Sequence, residues 1–464
     1  MKLGGKLVAV GAVVVLGAAV AAPWLIPSSA WIPKVESEAA KRLGAPVHIA
    51  DIRVALLPLP HLGVSGLNVG DGAISIDAIA VYPRLASLFA DKRVLRSIEL
   101  DRVVLSRKGT ELLTALAAKP GSGGAVVEIE RVRATHVEVE LAVGKLPAFN
   151  LDIALNNSAA ASALPVERAL VTTVDGKATL ALVPDGKDGK DGKGGKGGKG
   201  GKGGKGGDEW KLTLDASDWL LPLGPPLRFT SLKAGGRMSS GKLVLHELAA
   251  TLYGGKLAGK AELAWLKNWR LAGDIKIDGI DIMPVTQALK VKAALAGRLD
   301  ASGPFSAQAT KPAGLADAFN ADIGFEVRDG VLHGFDLASA AQNLLKGGAS
   351  GGSTRFDQLT GKVKVQGRAY KLQNVKVASG ALQAEGNVDI SAAKQLSGRV
   401  DTALKGSAGL AGVPLAVSGT LDKPVLTPTA GSLAGAAIGS VLLPGVGTAV
   451  GSSVGDKIGK LFGK

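Results

Sequence analysis

Zinc binding is the first chemistry to test in this sequence, because histidine and cysteine are the residues that most often hold zinc. The 464 residues include five histidines and no cysteine. The histidines lack the close pairing that zinc sites use, and they are His48, His61, His136, His246 and His333. We therefore predict no metal site, and we expect each histidine to be an ordinary strand or turn residue.

Nucleotide binding and acid–base catalysis have no better support. Gly254 to Ala261, GGKLAGKA, has the glycine and lysine spacing of a phosphate loop, but alanine stands where magnesium needs a hydroxyl. Gly445, Gly447 and Gly451 do not match the spacing of the dinucleotide fingerprint. No carboxylate pair is marked by an aromatic or hydrophobic pocket pattern. The sequence predicts a protein that is not an enzyme and that holds no nucleotide and no cofactor.

The net charge of +15 raises the question of nucleic acid, but its distribution argues against that partner. Between Asp185 and Gly207, seven lysines and three aspartates lie in a glycine-rich tract that has nothing to bury. No aromatic or arginine stripe accompanies the charge, so bases would find little to stack on. We predict no nucleic-acid binding, a flexible linker over 184–208, and attraction to anionic lipid headgroups.

An uncharged apolar run extends from Leu7 to Ile26, behind Lys2 and Lys6. As a helix it is about 30 Å long, which is enough to cross a bilayer, and the preceding lysines favour a cytoplasmic Met1. The apolar residues of the run include Leu7, Val8, Val14, Leu16, Val20, Leu25 and Ile26. The alternative is a cleaved signal peptide, because Ala19 to Ala21 form a small-x-small site. We predict a retained single-pass anchor.

Most of the remaining chain alternates apolar and polar residues in the manner of strands with one wet face. Aromatic residues make up only 4% of the chain and glycine supplies 65 positions, which favours many short strands and turns. The alternation is clearest at Val137, Val139 and Leu141, at Ile275 and Ile277, and at Val363 and Val365. Because antiparallel strands show this pattern and buried parallel strands do not, we predict a mostly β protein with a long antiparallel sheet.

Two local patterns refine this prediction. Pro33 to Leu43 reads as a short helix that Gly44 ends in a left-handed conformation. The stretches Lys242 to Leu263 and Tyr370 to Ile390 share a strand, glycine turn, strand pattern. We therefore expect a sheet that is built by repetition, together with a few short helices.

The C-terminal tail carries glycines at intervals of four residues. They are Gly431, Gly435, Gly439, Gly447, Gly451, Gly455 and Gly459. Glycines at this spacing give a helix a smooth face that needs a close packing partner, as small-xxx-small faces find in membranes. The prediction is a helical hairpin that enters a bilayer or docks on another envelope protein. A disordered tail is the alternative.

Several stretches, taken in order, resemble the AsmA family of envelope proteins, relatives of TamB and of the bridge-like lipid-transfer proteins. The matching stretches are Leu43 to Val47, Ala55 to Gly70, Arg84 to Leu105, Ala250 to Leu263, Val327 to Leu345, Phe356 to Gly367 and Val413 to Pro428. The resemblance implies an inner-membrane anchor, a periplasmic body of antiparallel strands curled into a groove with a lipid-compatible interior, and a role in phospholipid transport or outer-membrane assembly. The lysine tract and the glycine tail depart from the shared pattern.

Together these observations predict an order of segments and a site. The order is an anchor at 1–28, a β region at 29–183, the linker at 184–208, a central β region at 209–316, a C-terminal β region at 317–429 and the tail at 430–464. The predicted site is an apolar surface that shelters acyl chains, lined by Val137, Val139, Leu141, Ile275, Ile277, Val363 and Val365. The same strands suit a sandwich or a closed barrel equally well. The rival function is therefore a structural or regulatory envelope protein that carries no lipid.

Overall fold

A computed structural model describes most of the chain. The described residues are 31–57, 59–87, 93–116, 127–141, 144–155, 166–185, 209–291, 294–342, 349–380, 382–404 and 413–431. Among them, no helix has both the length and the apolar character needed to span a membrane. The predicted anchor, nearly all of the linker and the glycine tail beyond Gly431 lie outside the described residues.

The prediction of a mostly β protein is confirmed, and the chain divides into two compact units. Unit 1 comprises residues 1–225 and 232–241, and unit 2 comprises residues 226–231 and 242–464. The division falls near residues 225–242, and the boundaries predicted at 208/209 and 316/317 remain predictions. Strands on either side of 316/317 are directly paired in unit 2.

Unit 1 begins with helix α1 and contains most of the shorter strands. Its elements are α1 (Ile32–Leu43), β1 (Val47–His48), β2 (Asp51–Ala55), β3 (His61–Val69), β4 (Ile74–Pro83), β5 (Arg93–Leu105), α2 (Arg107–Leu116), β6 (Val127–Ile129), β7 (Arg131–Leu141), β8 (Gly144–Lys145), β9 (Phe149–Leu155), β10 (Val166–Thr173), β11 (Ala178–Pro184) and β12 (Trp210–Leu220). The next strand, β13 (Arg228–Met238), has residues in both units.

Unit 2 is built from longer strands. Its elements are β14 (Lys242–Leu252), β15 (Gly255–Ala264), β16 (Trp269–Asp281), α3 (Ile282–Ala288), β17 (Leu295–Ala309), β18 (Asn320–His333), α4 (Leu337–Gln342), β19 (Ala349–Ser350), β20 (Ser353–Gln366), β21 (Ala369–Ala378), β22 (Leu382–Ile390), β23 (Leu396–Leu404), β24 (Val413–Thr420) and β25 (Lys423–Pro428). Apart from the short β19, which pairs with β25, neighbours in sequence pair antiparallel from β14 to β25.

The sheet of unit 1 departs from the purely antiparallel prediction at one point. Strand β5 runs parallel to both β6 and β7. Parallel neighbours need a crossover connection, and α2 lies in the chain between β5 and β6 and packs on β5 and β7. Alternation of apolar and polar residues cannot reveal strand direction. The ten-residue helix between two strands was the available signal for this crossover.

Helix α1 forms as the sequence predicts. Pro33 lies in its first turn, where a missing N–H costs nothing, and the helix ends at Gly44 with a φ of 66°. The Gly44 N–H donates to the Ala40 carbonyl, which satisfies one of the last free carbonyls of the helix. Val35, Ala39 and Leu43 fall on one buried stripe, so α1 contributes directly to the core of unit 1.

Several strands contain a β-bulge in which one backbone N–H has no partner in the strand ladder. This N–H donates instead to a side chain of a neighbouring strand. The N–H of His136 donates to Asn150 Oδ1 at 3.0 Å, and the N–H of Gly279 donates to Asp300 Oδ1 at 2.8 Å. In the same way, the N–H of Asn374 in β21 donates to Asn387 Oδ1 in β22 at 2.9 Å. All three bulge residues have positive φ. A bulge bends its strand and increases the local twist, and the side-chain oxygen here satisfies the amide that the bulge takes out of the ladder.

The two stretches that share a sequence pattern form similar hairpins. Strands β14 and β15 form one antiparallel hairpin, and β21 and β22 form another. In each hairpin the register shifts within the first strand, between Leu245 and Leu248 and between Leu372 and Val375. The two stretches that match in sequence therefore also match in their irregularity.

Candidate functional site

One face of unit 2 carries a continuous set of apolar side chains across many strands. Residues directly opposite each other in neighbouring strands lie on the same face of a sheet. One row of such partners runs from β15 to β20 through Leu257, Ile277, Ala301, Phe325 and Gly361. A second row runs from β18 to β23 through Ile323, Val363, Leu372, Val388 and Gly398. We call this surface the apolar face of unit 2.

The apolar face is only partly covered in the middle strands. Ile275 and Ile277 in β16 and Val363 and Val365 in β20 are half-buried, although an apolar core would bury them fully. The residues between them, such as Lys276, point to the opposite face and are exposed. Strand periodicity therefore places the apolar side chains on one side as predicted, and no other element among the described residues buries them fully.

Helix α4 closes one end of the apolar face. Leu337, Ala340 and Ala341 of α4 form a buried cluster with Leu359 of β20 and Leu382 of β22. The helix also contacts β23, β24 and β25. The strand ends nearest to α4 are therefore sealed by an ordinary hydrophobic core.

A buried hydroxyl holds the start of α4 in place. The Thr354 hydroxyl accepts a hydrogen bond from the Leu337 N–H at 3.0 Å and donates one to the Phe335 carbonyl at 2.8 Å. Asp336 accepts a further bond from the Ser339 N–H at 2.9 Å. These bonds satisfy polar groups that burial would otherwise leave without partners.

At the opposite end of the apolar face the described residues include no α-helix, only the short 3-10 turn Pro312–Leu315 against β16 and β17, and we call this the open end. It is bordered by aromatic rings, which we call the aromatic rim. Trp265 and Trp269 stack with ring centroids 6.2 Å apart, and Phe305 and Phe319 stack at 5.9 Å. Tyr370 is 41% exposed and lies opposite Val365 and Ile390. Because these residues come from β15 to β21 and their connections, the rim runs along several strand ends.

A glycine in β16 leaves space for one ring of the aromatic rim. Gly273 lies opposite Phe305, and a Cβ atom at position 273 would lie 2.6 Å from the Phe305 ring. It would also lie 2.3 Å from the Lys260 carbonyl oxygen of the neighbouring strand. Phe305 can therefore lie flat across β16 only because residue 273 has no side chain.

The remaining predicted lining residues lie in unit 1, where their surroundings differ. Val137 and Val139 in β7 are 0% exposed, and Leu141 is half-buried. Helix α2 packs on β7 and contributes the buried Leu113. Val137 and Val139 therefore contact protein on all sides, whereas Ile275, Ile277, Val363 and Val365 lie together on the partly open face of unit 2.

Charged side chains stay off the apolar face and pair on the wet face. Lys260 and Asp274 approach to 3.4 Å across β15 and β16, and Lys364 and Asp322 approach to 3.9 Å across β20 and β18. The described residues contain no group of three potential metal ligands, and of the five histidines only His48 and His136 lie within ion-pair distance of a carboxylate there. The charged pairs therefore lie on the face of the sheet opposite the apolar face.

In unit 1 the ion pairs perturb individual pKa values. Arg131 donates to Asp152 through Nε at 2.8 Å and through its second nitrogen, and this hydrogen bonding lowers the pKa of Asp152. The Lys145 ammonium lies 2.6 Å from Glu138 and lowers the pKa of that carboxyl group. Both pairs join neighbouring strands of the wet face, and neither borders an apolar pocket.

Residues 225–373 match the family model described as the AsmA family. We call residues 225–373, over which the chain is similar to this family, the AsmA segment. The AsmA segment begins just before β13 and ends within β21, so it contains four of the seven predicted lining residues, the Trp265–Trp269 pair and helix α4. The resemblance read from the sequence is confirmed over the AsmA segment, and for the stretches before and after it remains a prediction. No curated protein and no solved structure matched the chain.

The aromatic rim is the part of the site that sequence reasoning missed. Trp265 and Trp269 are close in sequence, but Phe305, Phe319 and Tyr370 are brought to them only by strand pairing. The motif WLKNW at Trp265 to Trp269, in a chain with six tryptophans, was the available signal.

Proposed function

We propose that this protein binds or conducts phospholipids between membranes, with acyl chains held on the apolar face of unit 2 and headgroups at its wet margin. In this proposal the N-terminal run anchors the chain in the inner membrane, with a cytoplasmic N-terminus and a periplasmic body. The role is one in outer-membrane biogenesis. The match of residues 225–373 to the AsmA family model supports an envelope role of this kind.

The observation that carries the proposal is the partial burial of the apolar face. Val363 and Val365 in β20 and Leu372, the partner of Val363 in β21, all stay half-buried, while α4 buries Leu359 and Leu382 at the far end. A soluble protein that leaves a contiguous apolar surface uncovered has a partner for it. The linear row of aliphatic side chains fits a linear hydrocarbon partner.

The energetics suit transfer rather than permanent storage. Removing a CH₂ group from water is worth about 0.8 kcal/mol, so an acyl chain strongly prefers the apolar face to water. A bilayer interior offers the chain nearly the same gain. Exchange of a chain between a bilayer and the apolar face is therefore close to neutral, which permits loading and release without a chemical step.

The sealed core of unit 1 favours a second candidate function for that unit. With Val137 and Val139 fully buried, β7 offers no apolar surface to a lipid. Unit 1 then acts as a structural or regulatory part that works through protein contacts in envelope assembly. If this candidate function is right, either lipid binds to unit 2 alone or the protein binds no lipid at all.

Native mass spectrometry of the purified full chain tests the proposal. We expect phospholipid to remain bound to the wild-type protein and to be largely lost from the double variant V363N/V365N, which makes the open face polar. The matched control is K362Q/K364Q, which changes the wet face of the same strand and should retain lipid. Circular dichroism checks that both variants fold. A wild-type chain that is consistently free of lipid would exclude the proposal in favour of the scaffold function.

A further inference from the structure

The hairpin that joins β15 to β16 presents an exposed leucine beside the aromatic rim. Leu266 is 79% exposed, the highest value for a large apolar side chain among the described residues of unit 2. Lys267 and Asn268 follow it and are also exposed. Trp265 and Trp269 stand at the two ends of the turn, and their stacked rings hold it closed. We call residues 265–270 the tip.

The tip carries positive charge that has no ion-pair partner among the described residues. Lys267 and Arg270 are exposed, and neither forms an ion pair with a described residue. Nearby cations in the same strands do have partners, such as Lys260 with Asp274 and Lys242 with Glu262. The tip contains no acidic residue. Its charge is therefore complementary to an anionic surface.

Neighbouring connections at the same edge of the sheet add to this charge. Trp269 is paired with Ala309, so the connection that follows β17 leaves the sheet beside the tip, and it carries the exposed Lys311. The connection that follows β22 leaves the same edge and carries the exposed Lys394. In the described part of the chain neither lysine has an ion-pair partner. The positive charge thus extends along the edge that bears the aromatic rim.

The order of residue types at the tip matches the layers of a membrane surface. A leucine at the apex suits the hydrocarbon, tryptophan rings prefer the interfacial layer, and lysine and arginine attract anionic headgroups. We propose that the tip docks on a bilayer leaflet that contains anionic lipid. Docking brings the aromatic rim, and with it the open end of the apolar face, to the membrane surface. The use of this contact for loading lipid rests on the proposed function, whereas the docking itself does not.

The absence of cysteine makes the tip easy to monitor in the full chain. The variant L266C provides a unique site for an environment-sensitive fluorophore. The matched control is V291C, which is 54% exposed and lies in the same unit after α3, at the other ends of the strands. Each labelled full chain, kept in solution by an amphipathic polymer, is mixed with vesicles that carry a lipid-borne quencher. One vesicle set contains phosphatidylglycerol and the other contains only phosphatidylcholine.

We expect the label at position 266 to shift its emission to shorter wavelength and to be quenched by phosphatidylglycerol vesicles, and the label at 291 to show neither change. Because each basic residue near an anionic surface strengthens partitioning roughly fivefold, K267Q/R270Q in the L266C background should weaken it roughly 25-fold. An unchanged signal at 266, or an equal response at 291, would overturn the proposal. A blue-shifted signal at 266 before vesicles are added would also overturn it, because the tip would then be covered by protein.

The outcomes separate docking from lipid carriage. Bound phospholipid in the native mass spectrum without quenching at 266 would leave the proposed function in place and remove the docking tip. Quenching at 266 with no bound phospholipid would keep the docking tip and remove the proposed function.

Discussion

The two units contain similar strands, but they differ in how fully the apolar faces of those strands are buried. In unit 1 helix α2 packs on β5 and β7, and their apolar residues Ile98, Val103 and Val137 are all at 1% exposure or less. In unit 2 the corresponding side chains of β16 and β20 remain half-buried, and among the described residues a sealed core forms at the end beneath α4. The difference shows that strand alternation defines an apolar face, while the helices between strands decide whether that face becomes a core or a binding surface.

Matched truncations in the two units test this contrast most strongly. We expect Ile98→Ala to lower the free energy of unfolding by about 2–5 kcal/mol, because it leaves a cavity in a packed core. Ile275→Ala removes the same atoms from a half-buried position, where water or lipid fills the space, so its cost should be about 1 kcal/mol or less. Urea denaturation of both variants against wild type measures the two values. Equal losses would show that unit 2 is as tightly packed as unit 1.

Loosening α4 tests the boundary between the sealed and open ends of unit 2. Thr354→Val keeps the shape of the side chain but removes the hydroxyl that bonds Leu337 and Phe335. We expect a loss of about 1–3 kcal/mol, since two buried backbone groups lose their partner. Binding of a hydrophobic dye should increase as α4 frays. The control is Thr360→Val, a change on β20 outside this network, and a dye signal that rises equally in both variants would contradict the assigned role of Thr354.

Lowering the pH tests an ion pair of unit 1, and we expect it to have the smallest effect on stability of the three changes. The hydrogen bonds from Arg131 lower the pKa of Asp152 below its ordinary value. A lowered pKa stabilises the fold above the unfolded-state pKa, about 3.9 for aspartate, and this contribution is lost as the pH falls through the folded value. We expect wild-type unit 1 to lose stability below about pH 4 and Asp152→Asn to lose less over the same interval. Thermal melts from pH 6 to pH 3 provide the measurement, and identical pH slopes would show that the pair has no net effect.

Much of the architecture could be predicted from local patterns. Pro33 and Gly44 bound α1 because their backbone preferences act independently of the rest of the chain. The two matching hairpins were visible because strand, turn and strand lie close together in sequence. The parallel pairing of β5 with β7 was missed, since side-chain alternation is the same for either strand direction.

Coverage of the apolar faces could not be predicted in the same way. Val137 and Val363 show the same alternation in sequence, yet the first is 0% exposed and the second is half-buried. What distinguishes them is the tertiary position of a helix, which depends on distant residues. The aromatic rim escaped prediction for a related reason, because Phe305 and Tyr370 become neighbours of one surface only through strand register.

A β-bulge recurs in both units, and each time an asparagine or aspartate of a neighbouring strand accepts a hydrogen bond from its backbone N–H. Each of these three strand pairs has its own bend and its own side-chain acceptor for the freed amide, so a further pair of this kind can be inserted beside an existing one without changes to its neighbours. Related chains of different length can therefore arise by duplication of this small module.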